Sequence, residues 1–180
     1  MSKRVTTPYE GDEHARWEPG AEIEAPLHLH RTIARPEWMD YNDHMSESCY
    51  LLVFGDSADA FFRFLGIDEA YRAAGHSLYT SETHLHHRHE VALGEPLELS
   101  LQLLDHDARR LHIFHEMRDG ESGVLLASAE QLLVHVDMHE SRSVEFPHRL
   151  LERLDAIAAA HARLPRPDVV GQPMGIRRGA

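Results

Sequence analysis

WMDYNDHMSESCYLLVFGDSADAFFRFLG, residues 38–66, joins a dense polar cluster to a long apolar-periodic run. From Ser46 onward, Tyr50, Leu51, Phe54, Ala58, Phe61, Phe62 and Leu65 recur at spacings of three and four. That spacing predicts an amphipathic helix of about four to five turns. Gly66 stands where a helix end favours a residue free to turn left-handed.

Working outward, LHLHRTIA at 27–34 alternates apolar and polar residues, the pattern of a half-buried strand, and Pro36 interrupts it. Downstream lie four more strand candidates, at 78–91, 97–106, 109–118 and 124–138. Short polar breaks at Gly94-Glu95-Pro96, around 105–108 and at 119–123 suit antiparallel connections. In the second of these strands Leu97, Leu99, Leu101 and Leu103 share one face. The segment 146–164 places Leu150, Leu154, Ile157 and His161 on one stripe, with Pro147 near its start and Pro165 past its end. The predicted order is strand, long helix, four strands, helix: an α+β domain with one helix packed on an antiparallel sheet. Such a sheet leaves edges and apolar surface for a second subunit, so a homodimer or dimer of dimers is expected.

Residues 1–25 are charged and aperiodic and read as an irregular arm, 26–164 as the folded domain, and the Pro/Gly-rich 165–180 as a tail. The 180 residues, 42% hydrophobic, fit one compact core. Thirty acidic against 18 basic side chains give −12, which opposes nucleic-acid or anionic-membrane binding. No apolar run approaches the roughly 20 residues of a membrane span, and the start lacks a secretory block, so a cytoplasmic protein is expected. The single cysteine, Cys49, rules out an intrachain disulfide and a multi-thiolate zinc site. A small packed side chain is its simplest role. No G-x-S-x-G nucleophile elbow is present.

Chemistry concentrates before the helix. Asp40 and Glu47, with His44 between them, converge on a helix N-terminus, where free N–H groups and the macrodipole stabilise negative charge. Asp43 or Ser46 could serve as a simple cap, which leaves Asp40, Glu47 and Trp38 unexplained. The 16 histidines include H-L-H-H-R-H at 84–89, where His84 and His86 would face one side of a strand and His87 and His89 the other. A metal site there would need His112, His115, His135 or His139 from neighbouring strands, and ordinary hydrogen-bonded histidines are the simpler reading.

The string D-Y-N-D-H-M-S-E-S-C-Y at 40–50, followed by a helix and long strands, resembles the hotdog-fold acyl-CoA thioesterases of the 4-hydroxybenzoyl-CoA type, which often show D-x-x-G-H-V-N-N-x-x-Y there. The resemblance covers about residues 27–164. It implies a five- to six-stranded antiparallel sheet wrapped on a central helix. It puts Asp40 on the family's catalytic aspartate, His44 on its histidine and Tyr50 on its helix tyrosine. Two departures stand out: Asp43 replaces the glycine, and Ser46-Glu47 replaces the asparagine pair, which leaves open whether Asp40 or Glu47 acts on water. Further strings, Y-T-S-E-T-H at 79–84, R-L-H-I-F-H-E at 110–116 and A-A-A-H-A-R-L-P-R-P near the end, are similar to the small thioesterases of bacterial carnitine breakdown, whose substrate is betainyl-CoA.

A thiolate leaving group, with a conjugate-acid pKa near 8.5, needs neither strong acid nor metal. Asp40 activating water or attacking directly, with N–H groups near Met45 to Glu47 holding the oxyanion and His44 orienting the carboxylate or the thioester, is the mechanism this implies. No cofactor is expected beyond the coenzyme A carried on the acyl-CoA substrate. The expected substrate wall is Trp38, Tyr41, Asn42, Met45, Tyr50, Tyr79, Glu82, Thr83 and His84. Within it Trp38, Tyr41 and Tyr79, with Glu47 and Glu82, suit a quaternary ammonium acyl group. Arg88, Arg109, Arg110 and the tail arginines Arg177 and Arg178 are candidates for the coenzyme A phosphates. The alternatives are a dehydratase or non-hydrolytic acyl-CoA binder on the same fold, and a His-rich metal-binding protein.

Overall fold

The computed structural model describes residues 7–9 and 14–176, so Arg177 and Arg178 lie outside the described residues, as do 1–6 and 10–13 of the expected arm. The elements run β1 (Leu27–Ile33), a single 3₁₀ turn (Pro36–Trp38), α1 (Glu47–Leu65), α2 (Glu69–Ala73), β2 (His76–His87), β3 (Pro96–His106), β4 (Arg110–Asp119), β5 (Leu125–Asp137), β6 (Arg142–Ser143) and α3 (His148–His161). One antiparallel sheet takes the order β1-β3-β4-β5-β2, with β6 added on β5.

The alternation along β3 decides how the sheet meets the helix. Leu97, Leu99, Leu101 and Leu103 are all buried and pack with Phe54, Phe61 and Leu65 of α1 in two clusters. The N-terminal half of α1 joins Trp38, Met45, Leu97, Leu99 and Met117; the C-terminal half joins Leu101, Leu111, Ile113 and the α3 stripe Leu150, Leu154 and Ile157. Burying side chains of this size contributes about 1.5–3 kcal/mol each, so α1 is fixed along its whole length. His161, the polar member of the α3 stripe, accepts from Leu103 N at Nδ1 (2.9 Å) and donates from Nε2 to Glu24 O (3.0 Å). Gly66 closes α1 at φ 95°, as its position anticipates.

Three features depart from the sequence pattern. The strand expected at 78–91 ends at His87, because the amides of Arg88 and His89 both turn to Leu126 O (2.8 and 3.1 Å). The helix expected at 146–164 occupies His148–His161. The short α2, started by Asp68 accepting from Tyr71 N (3.0 Å), and the two-residue β6 are too brief to produce a periodic signal. No helix among the described residues is long and apolar enough to cross a membrane.

Candidate active site

The loop before α1 is built by its own side chains. Asp40 N donates to His44 O (2.9 Å), Asp43 N to Asp40 O (3.1 Å), and Asp40 Oδ1 accepts from Asn42 N (2.7 Å). This closed turn requires a left-handed residue at its fourth position, and Asp43 takes φ 60° there. Asp is among the few non-glycine residues that tolerate this region. The conformation a glycine would supply is therefore kept.

Two further bonds weld the loop to the sheet: Met45 N donates to Val91 O (2.8 Å) and Ser46 N to Trp38 O (2.8 Å). Both amides are thereby occupied, which corrects the expectation that Met45 and Ser46 amides hold an oxyanion. Ser46 sits at the N-cap position, but its hydroxyl caps no amide and lies 3.4 Å from Ser48 Oγ. Cys49 N is also taken, by Ser46 O (2.9 Å), so the first-turn N–H groups that remain for an oxyanion are those of Glu47 and Ser48.

Asp40, Asn42, His44, Met45, Glu47 and Tyr50 line one open cleft of about 770 Å³, and the opposite wall is His87, Arg88, His89 and Glu90, where the chain leaves β2. Tyr50 joins the two walls. Its ring meets His87 edge-on at 4.7 Å and 83°, and its hydroxyl donates to His89 O (3.1 Å). Burial raises the Tyr50 phenol above its ordinary pKa, with the carboxylates of Glu95, Glu90 and Asp40 adding to the effect. It stays a protonated donor. Three carboxylates, Asp40, Glu47 and Glu90, face the cleft beside Arg88.

The other sequence-predicted residues lie apart from this cleft in the chain. Trp38 is buried in the core with Arg35 stacked 5.2 Å above its ring, and Tyr41 is 95% exposed. Tyr79 is exposed on β2, a strand that pairs with β5 on one side and ends the sheet on the other. Glu82, Thr83 and His84 border a second cavity, of about 590 Å³, with His112, Glu130 and Gly171. Arg109 pairs with Glu145 (3.3 Å) and Arg110 with Asp107, and of the candidate phosphate ligands only Arg88 reaches the cleft among the described residues. His87, His89 and Glu90 were not singled out for the site; the clue was the polar run H-H-R-H-E at a strand end, but pairing it with the 40–50 loop is a long-range fact.

The histidines mostly resolve into hydrogen-bonded structure. His115 is fully buried between Ser57 Oγ at Nδ1 (3.2 Å) and Gln131 Oε1 at Nε2 (3.1 Å), and Gln131 Nε2 donates to Thr83 Oγ1 (3.2 Å). Burial lowers its pKa to about 4. His135 accepts from Tyr71 OH at Nε2 (2.8 Å) and donates from Nδ1 to Val144 O (3.0 Å). No group of three or more His, Cys, Asp or Glu among the described residues is placed to hold a metal ion. Cys49 is free, half-buried and outside the cleft lining.

The chain and its fold are similar to known proteins. The family model of the thioesterase-like superfamily matches residues 34–154, which run from the end of β1 into α3. An L-carnitine dehydrogenase/betainyl-CoA thioesterase of Rhizobium meliloti is 42% identical over 168 residues, which cover 90% of this chain; the chain spans 34% of that relative's length. A betainyl-CoA thioesterase of Pseudomonas aeruginosa is 44% identical over 151 residues, covering 83% of this chain and 95% of the relative. A Staphylococcus aureus protein solved in complex with CoA superposes with a TM-score of 0.75 at 25% identity, covering 87% of this chain and all of that one. With a sheet wrapped on α1 and a family match over more than half its length, the chain belongs to the thioesterase-like superfamily of hotdog proteins.

Proposed function

We propose that the protein hydrolyses an acyl-CoA thioester, with betainyl-CoA as the substrate, in residues 26–164. The observation that carries the reading is the convergence of Asp40, Glu47 and His44 with an uncapped helix start in one open cleft. The relatives named above extend it to the acyl group, and the carboxylates of Asp40, Glu47 and Glu90 favour a cationic one. The ring exposed in the cleft is that of His87, since Trp38 and Tyr50 are both buried in the core.

In this reaction Asp40 takes a proton from water as the water oxygen bonds to the thioester carbon. The first-turn amides of Glu47 and Ser48 hold the developing oxyanion. Collapse breaks the C–S bond, and the thiolate leaves and takes up the proton, giving the free acid and coenzyme A. His44 orients the carboxylate or the thioester. Arg88 supplies a positive charge on the cleft wall for a coenzyme A phosphate. No cofactor enters these steps.

The protein acts as a dimer or dimer of dimers. Tyr79 to Thr83 lie exposed on β2, at the end of the sheet, the kind of edge that a second copy covers. Pairing there would add Tyr79, Glu82, Thr83 and His84 to a composite substrate wall.

The test is thiol release from betainyl-CoA, acetyl-CoA and a medium straight-chain acyl-CoA. Betainyl-CoA should be turned over fastest, and Asp40→Asn should lower the rate by about two orders of magnitude or more. Tight coenzyme A binding without thiol release would replace hydrolysis by simple binding. Equal rates across the panel would remove the cationic acyl site.

A further inference from the structure

A second concentration of charge lies at the other end of α1. A cavity of about 470 Å³ opens between the arm, the C-terminal end of α1, α2 and the start of α3. In a chain of net charge −12, four arginines line it, Arg16, Arg63, Arg149 and Arg153, together with the aromatic rings of Trp17 and Tyr71. Asp68 is the one carboxylate among its described lining residues, and it is engaged in accepting from Tyr71 N.

Only part of the positive charge here is neutralised by the fold. Arg63 is 1% exposed; its Nε and Nη1 reach Asp59 (2.9 Å) and Glu69 (2.6 Å), but Nη2 is buried without a hydrogen-bond partner among the described residues. A buried guanidinium N–H left unpaired costs free energy unless something outside the chain supplies the acceptor. Arg149 and Arg153 form no ion pair with a carboxylate among the described residues. Arg149 stacks on Tyr71 (6.0 Å) and Arg153 on Trp17 (5.6 Å). Burial and the charge of Arg149 both lower the Arg153 pKa, the mark of like charges held side by side. Arg149 also sits in the first turn of α3, which holds no acidic residue and no side-chain cap, where the macrodipole already favours an anion.

We propose that this cavity binds the phosphate groups of a phosphorylated small molecule. Guanidinium forks match phosphate oxygens, and the rings of Trp17 and Tyr71 hold Arg153 and Arg149 in place for that contact. The phosphate can come from free inorganic phosphate or from a nucleotide such as the end of coenzyme A. At about 1.5 Å per residue the 19-residue α1 separates this cavity from the cleft by about 28 Å within the chain, so the two sites stand or fall separately.

The test is calorimetric titration of the full chain, in chloride buffer, with inorganic phosphate and with adenosine 3′,5′-bisphosphate. Saturable binding is expected for the wild type. Arg149→Gln should weaken it about tenfold, with thiol release in the cleft unchanged. Arg149→Lys, which keeps the charge but not the fork, should fall between. Comparable affinities would identify free phosphate as the source, and tighter bisphosphate binding would identify the nucleotide. Absence of saturable binding to either probe at millimolar concentration overturns the proposal. So does binding that is equally tight in a folded Arg149→Gln protein, since the anion would then sit elsewhere.

Discussion

Replacing His115 with glutamine should flatten the dependence of stability on pH. In the folded protein the ring is fully buried and its pKa lies at about 4, against an ordinary 6.5. At pH 8 it is neutral in both the folded and unfolded states and contributes no dependence. As pH falls below 6.5, the unfolded chain takes up the proton and the folded one does not, so stability is lost progressively until the folded value is reached. At about 1.4 kcal/mol per unit, the loss from this one group is about 2 kcal/mol at pH 5 and about 3 kcal/mol at pH 4. Urea unfolding at pH 8 and pH 5, at one protein concentration, measures it in wild type and His115→Gln. The variant carries a constant packing cost, which cancels in the difference between the two pH values. The wild-type loss should exceed the variant's by about 2 kcal/mol. Equal losses, to within about 0.5 kcal/mol, would refute the burial argument. His30, also lowered to about 4 by burial and by the charge of Arg35, adds loss of the same sign to both proteins.

Tyr50→Phe removes the hydroxyl bond to His89 O that joins the cleft walls, and should lower stability by about 1 kcal/mol and raise KM more than it lowers kcat. Asp43→Gly should leave hydrolysis intact and gain up to about 1 kcal/mol in urea unfolding, because φ 60° is strained for an L side chain; Asp43→Val, β-branched at the same angle, should lose stability and activity together. Arg63→Met cuts both ion pairs; Asp59 keeps Thr7 Oγ1 (2.6 Å) and Glu69 keeps Arg72 (3.7 Å), so a loss of about 1–3 kcal/mol is expected in the same assay.

The architecture was legible wherever a local period ran long enough. The three-four spacing from Tyr50 to Leu65 places α1, and the leucines at 97 to 103 place the inner face of β3, because each pattern spans several turns or pleats. The end of β2 was not legible. His87 to Glu90 continues an alternating polar run, and only the tertiary bonds to Leu126 and Tyr50 turn it off the sheet. The candidate site divides in the same way. Asp40, His44, Glu47 and Tyr50 are near in sequence and share a loop and a helix turn, so a contiguous motif names them. Arg88, His89 and Glu90 meet them through sheet topology. Trp38 shows the limit of residue type: an aromatic beside a polar cluster suits a cation site or a core equally, and 6% exposure decides for the core.

The buried chain from Ser57 to Thr83 has a direction. Ser57 gives its hydroxyl hydrogen to His115 Nδ1, so the ring carries its proton on Nε2 and gives it to Gln131 Oε1. The Gln131 amide must then turn its NH2 outward, and Thr83 Oγ1 spends a lone pair on receiving it. The threonine's own hydrogen is left to point away from the protein interior. An atom on the helix thus biases, across three neighbouring strands, the polarity of a residue on the outermost one: whatever approaches Thr83 is offered a hydroxyl hydrogen and gains most by bringing an acceptor of its own.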